Sequence, residues 1–93
     1  MRIIQSRSFE KKTKRFTKQE KNILDEQVRK IAADPQSGLE KKGDLRGVLV
    51  HKFKIKTVQY FLAYRFAGDV LELIMIGPHE NYYRDLKSYL KDK

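Results

Sequence analysis

Apolar positions in this chain follow two different periods, and the change between them divides it near residue 40. Ile3 and Ile4 are the apolar pair of a short first strand over residues 2–7. Ser8 is placed to cap a helix, with Glu10 in its first turn, where a negative charge favours the helix dipole. Phe9 and Phe16 are seven residues apart, two turns along one helical face. Thr17-Lys18-Gln19-Glu20 matches a capping box, so a second helix is predicted to start there. Ile23, Leu24, Val28, Ile31 and Ala32 give it one buried stripe. Asp34-Pro35 ends that helix, and Gly38 marks a turn.

After a polar connector over residues 39–47, the period becomes two. Residues 48–55 alternate, and residues 58–66 are rich in aromatic and β-branched side chains, so both read as strands. Lys56-Thr57 is the shortest turn that can join them, although it lacks Asn-Gly chemistry. Gly68-Asp69 is a second turn, leading to residues 70–76. That run is apolar at almost every position, as a strand covered on both faces would be. Gly77-Pro78 stops it, and residues 82–90 read as a short helix with Tyr83, Leu86 and Leu90 on one side. The fold class expected is α+β: a short amino-terminal strand, two helices packed on an antiparallel sheet of about four strands, and a short carboxy-terminal helix. Residues 1–93 are expected to form a single domain.

A two-residue turn at Lys56-Thr57 also predicts a register. Ile55 faces Val58, Phe53 faces Tyr60, His51 faces Leu62 and Leu49 faces Tyr64, and these share an apolar face that should pack on the long helix. The other face carries Val48, Val50, Lys52 and Lys54 with Gln59, Phe61, Ala63 and Arg65. Cations around an exposed aromatic suit single-stranded nucleic acid, because lysines hold phosphates while a ring stacks on a base. Lysines that merely blunt a sheet face are the plainer alternative. His51 falls on the core face, where a hydrogen-bonded structural histidine is the expectation.

Net charge gives that second face its meaning. The chain carries 21 basic and 12 acidic residues, a formal +9. Arg2, Arg7, Lys11, Lys12, Lys14, Arg15, Lys18 and Lys21 concentrate the charge at the amino-terminal end. There, Lys11, Lys12, Lys14 and Arg15 form either a solvated helix face or a phosphate-tracking surface. An excess of this size speaks for anionic partners: nucleic acid, an acidic protein or a membrane surface. No apolar run approaches the ~20 residues needed to span a bilayer, and the first nine residues hold no signal-like apolar stretch. There are no cysteines, which excludes disulfides and thiolate metal sites and fits a cytoplasmic location.

Residues 77–86 (GPHENYYRDL) hold the densest chemistry, directly after the buried strand. His79 can move a proton near neutral pH. Tyr83 can stack on a base or hold a phosphate oxygen, or else pack in the core. No Cys/His cluster, Gly-rich phosphate loop or Ser/His/Asp set is present, so neither a cofactor nor a metal is expected.

The order strand, two helices, three strands and short helix resembles the RelE/ParE superfamily of type II toxin–antitoxin toxins. So do Leu45-Arg46-Gly47, Lys52-Phe53-Lys54-Ile55, Tyr60-Phe61-Leu62-Ala63-Tyr64-Arg65 and Ile76-Gly77-Pro78-His79. The resemblance implies a cognate antitoxin partner and one of two activities. RelE-like members cut messenger RNA in the ribosomal decoding site by metal-independent 2′-hydroxyl attack; ParE-like members inhibit DNA gyrase without nuclease activity. Messenger-RNA cleavage is the reading expected here, with gyrase inhibition as the alternative. Position by position, Lys52 and Lys54 match the two RelE lysines. The RelE arginine that steadies phosphate falls on Phe61, a departure for which Arg65 could compensate. The carboxy-terminal RelE arginine and tyrosine fall on His79 and Tyr83, and a histidine four residues before an aromatic also resembles the YafQ-like nucleases. The implied catalytic set is thus His79, Tyr83, Lys52, Lys54 and Arg65.

Overall fold

A computed structural model describes residues 2–40, 47–78, 86–88 and 90, with the backbone alone for Leu39 and Glu40. Chain order is β1 (Arg2–Gln5), α1 (Arg7–Lys14), α2 (Lys18–Ala33), a 3-10 turn (Pro35–Ser37), β2 (Leu39–Glu40), β3 (Leu49–Ile55), β4 (Val58–Ala67) and β5 (Val70–Pro78). The strands form one sheet in the order β1-β5-β4-β3-β2. β1 runs parallel to β5 and every other pairing is antiparallel, so the sheet is mixed. The α+β class and the placing of both helices on one face are as expected. The extra strand, β2, lies inside the stretch that reads as a polar connector: Leu39 pairs with Val50 and Glu40 with Leu49. Two residues are too few to display a period, so nothing in the pattern announces it.

Helix entry differs from the sequence reading by two positions. The cap of α1 is Ser6, not Ser8: its extended backbone lets Oγ accept from the Phe9 N–H at 3.0 Å. The same hydroxyl donates to the Ile74 carbonyl on β5, so one side chain both starts the helix and ties it to the sheet. β1 ends at Gln5 rather than at residue 7, which leaves Arg7 and Ser8 inside the helix. The α2 capping box is complete: Thr17 Oγ1 accepts from Glu20 N–H at 3.1 Å, and Glu20 Oε1 accepts from Thr17 N–H at 2.7 Å. Among the described residues no helix is long and apolar enough to cross a membrane.

The sheet has a buried cluster on each face. Phe9, Leu24 and Ile31 from the helices pack on Phe53, Ile55, Leu62, Tyr64, Leu71, Leu73 and Ile76. Val48, Val50, Phe61, Ala63, Ile74, Met75 and Leu86 form the second cluster, with Leu90 against it. Leu86, Lys87, Ser88 and Leu90 are helical, and Leu86 and Leu90 share a side as their spacing suggests. β5 contributes to both clusters by alternation, and a bulge shifts its parity partway along. Ala63 pairs with Met75 and Tyr64 with Leu73, so Ile74 is the extra residue and points to the same face as Met75.

Tyr64 joins the layers by a polar contact inside the apolar core. Its buried hydroxyl donates to the Pro35 carbonyl at 2.6 Å and accepts from the Gly38 N–H at 3.1 Å. A Cβ on residue 38 would collide with that hydroxyl, so glycine is required by the close approach. Replacing Tyr64 by Phe leaves both backbone groups without this partner. Urea denaturation of Tyr64→Phe is expected to show a loss of about 1–3 kcal/mol, whereas a change under about 0.5 kcal/mol would mean that water takes over both bonds.

Candidate nucleic-acid interface

The β3–β4 hairpin has the register that a Lys56-Thr57 turn dictates: Ile55 opposite Val58, Phe53 opposite Tyr60, His51 opposite Leu62 and Leu49 opposite Tyr64. Lys56 adopts φ 58°, a left-handed backbone that Asn or Gly adopt at less strain. On the face turned away from the helices, Lys52 and Lys54 are both exposed, two residues apart and therefore about 7 Å apart along the strand.

Phe61, expected as an exposed stacking platform, is buried at 3% exposure. Its ring joins Val48, Val50, Ala63, Ile74, Met75 and Leu86, which are themselves buried. The second sheet face is thus core along much of its length, with cations at the hairpin end. The Lys52 ammonium sits over the Phe61 ring, 5.5 Å from its centroid, a cation–π distance. The aromatic supports the lysine from below and offers no free face to a base.

Arg65 lies on the same face as expected, but not beside the lysines. It is four residues beyond Phe61 on β4, about 13 Å along the strand. It pairs across to Glu72 on β5, with 3.7 Å between Nη1 and Oε1. The structure brings Lys52 and Lys54 together and leaves Arg65 at the far end with a carboxylate. Glu72 as its partner is visible only once the register of β5 is known, because the bulge hides it from alternation.

His51 is a structural histidine. Its Nε2–H donates to Gln27 Oε1 on α2 at 2.8 Å, and its ring stacks at 6.0 Å on Phe53. Phe53 in turn stacks on Tyr60, and Tyr60 meets Phe16 of the helical layer. Gln27 lies within the α2 stripe, four residues from both Ile23 and Ile31, so its role could have been found from helical spacing once His51 was placed on the core face.

β5 ends at Pro78, which pairs with Tyr60, beside the Gln59–Lys54 pair. The chain therefore leaves the sheet at the lysine end. His79 and Tyr83, with Glu80 and Asp85, lie outside the described residues. Lys11, Lys12 and Lys14 of α1 and Arg15, its C-cap, are exposed on the opposite side of the sheet from Lys52 and Lys54. Among the described residues no three His, Asp or Glu side chains converge as metal ligands.

The architecture is a mixed sheet with a helical hairpin on one face. Three solved structures share it. The intact E. coli RelBE toxin–antitoxin complex matches with TM-score 0.67 and 16% identity over 85% of this chain and 96% of that one. The YoeB/ParE toxin from Agrobacterium tumefaciens matches with TM-score 0.66 and 22% identity, over 85% and 99%. The isolated E. coli RelE toxin matches with TM-score 0.64 and 16% identity, over 94% and 96%. A comparison with curated proteins finds no match by sequence. The family model for the ParE-like toxin of type II bacterial toxin–antitoxin systems matches residues 3–87, and this chain belongs to that family.

Burial, with a smaller contribution from the Lys30 charge, holds the His51 pKa below the ordinary histidine value of 6.5. The folded state thus binds its proton less readily than the unfolded chain. Above the ordinary value both states are neutral at this ring; as pH falls below it, the unfolded state protonates first and folding loses stability. Nuclear magnetic resonance should give a His51 midpoint below 6.5. In His51→Gln, the fall in urea midpoint between about pH 7 and pH 5 should be shallower than in the parent; an unchanged slope would assign that fall to other groups.

Proposed function

We propose that this toxin is a messenger-RNA interferase, an endoribonuclease that cuts RNA at the ribosome by attack of a ribose 2′-hydroxyl on the adjacent phosphate. The observation that carries this reading is the hairpin end of the sheet: Lys52 and Lys54 are exposed side by side, Lys52 is supported on Phe61, and Pro78 ends its strand beside them. Two cations at that spacing can hold the scissile phosphate and stabilise charge on the phosphorane. His79 follows Pro78 directly in the chain and is proposed to move the proton. Tyr83 is proposed to stack on, or hold, the scissile nucleotide. Arg65 serves the wider RNA path in competition with Glu72. Phe61 acts by supporting Lys52, in place of the stacking role expected from sequence.

A cytoplasmic antitoxin partner completes the proposal. A segment carrying acidic and apolar side chains would fold over Lys52, Lys54 and the amino-terminal helices, neutralising the +9 charge while the toxin is stored. RelE itself is seen in a complex with its antitoxin. The second reading is gyrase inhibition without nuclease activity. It is favoured by the loss of a cation at Phe61 and by the glutamate that engages Arg65, both of which weaken a phosphate site.

Lys52→Ala with Lys54→Ala should lower RNA cleavage on translating ribosomes by at least about 10²-fold, with the folding free energy changed by less than about 1 kcal/mol. His79→Ala should cost about 10²–10⁴ in cleavage rate. Intact transcripts together with a fall in gyrase supercoiling would replace the nuclease reading by the gyrase one.

A further inference from the structure

The face that carries Lys52 and Lys54 has a third exposed polar side chain at the hairpin end. Gln59 is the second residue of β4, and the register sets it directly opposite Lys54 and diagonally from Lys52. Side chains directly opposite in an antiparallel pair have Cβ atoms about 4.5–5.5 Å apart, and diagonal neighbours stand about 7–8 Å apart. On the other side of β4, Tyr60 pairs with Pro78, so Gln59 is the next β4 position beyond the end of β5. The residue that follows Pro78 in sequence is His79, proposed above to move the proton.

These side chains divide by chemistry. A lysine ammonium only donates, and it holds phosphate as a point charge. Phe61 is buried under Lys52 and offers no face for stacking. On this face of β3 and β4, Gln59 alone carries a neutral amide, with a donor and an acceptor side by side. A position that only had to be wet would be filled at higher strand propensity by threonine. Adenine shows an acceptor beside a donor, N7 with the N6 amino group, and a glutamine amide meets that pair with two bonds. Guanine shows two acceptors on the same edge, which suit a lysine or an arginine. In unpaired RNA the Watson–Crick edge is open as well, and adenine repeats the acceptor–donor pattern there, so either edge satisfies the amide.

We infer that Gln59 is a specificity-determining residue of this site: its amide reads the base of a nucleotide whose phosphate Lys52 and Lys54 hold, and it selects adenine. The inference rests on the RNA reading above and adds a base preference to it. The lysines supply affinity without regard to sequence, and the glutamine supplies discrimination.

The test compares cleavage by the full chain on ribosomes programmed with messages that differ only in the two nucleotides flanking the cleaved bond. The quantity read is the ratio of kcat/KM between bases, which a purely structural residue would leave unmoved. The parent should cut about tenfold faster where adenine flanks the bond than where another base does. Gln59→Ala should bring the four bases to within about twofold of one another. Gln59→Lys, which has no acceptor, should move the preference to guanine. Lys52→Ala with Lys54→Ala should slow every message alike. A parent that cuts all messages equally, or a Gln59→Ala variant that keeps the adenine preference, overturns the role of Gln59 and leaves the nuclease reading standing. A parent that cuts none of them overturns the nuclease reading, and the inference with it. Thermal melting of each variant confirms that it is folded.

Discussion

Everything in this domain hangs on β4 being buried from both sides. Leu62 and Tyr64 face the helical layer while Phe61 and Ala63 face the second cluster, and all four are buried. A slip of one residue would exchange the two sets, sending a tyrosine that reaches for a helix end to the wrong side. That constraint holds the β3–β4 register, and through it the placing of Lys52 and Lys54. The left-handed turn at Lys56 agrees with this register but is not what enforces it; the side chains on both faces are.

The lysines are exposed because the core stops beneath them. On the second face Val48, Val50 and Ala63 are covered, and Phe61 is the last apolar side chain before the hairpin end. The site is therefore the rim of a core, where an aromatic ring closes the apolar region and carries a cation on its outer side. A rim of this kind holds charge on a stiff support, as positioned catalytic groups require.

Much of this was legible from alternation and spacing. The hairpin register, the capping box at Thr17, the α2 stripe and the core side of His51 all follow from local patterns in which neighbouring residues agree. What escaped depends on contacts between distant segments. Ser6 wins the cap over Ser8 because Ile74 offers a carbonyl to it, and nothing near residue 6 reports that. Phe61 reads as exposed because the facing strand places Lys52 and Lys54 around it; its cover comes from Leu86 and from Ile74 and Met75 beyond the next turn. The roles of His79 and Tyr83 come from resemblance, and both residues lie outside the described part of the chain.

The bulge at Ile74 acts as a gear change in β5. Glu72 and Ile74 point to the second face, yet Ile76, in step with them by simple alternation, packs under the helices. Parity before the bulge does not carry past it, so a polar substitution that is harmless at 72 has no harmless counterpart at 76. A bulge also bends its strand and increases its twist. The heading on which the chain departs at Pro78 is thus inherited from a backbone irregularity four residues upstream, fixed from the other side of the sheet by the hydroxyl of Ser6.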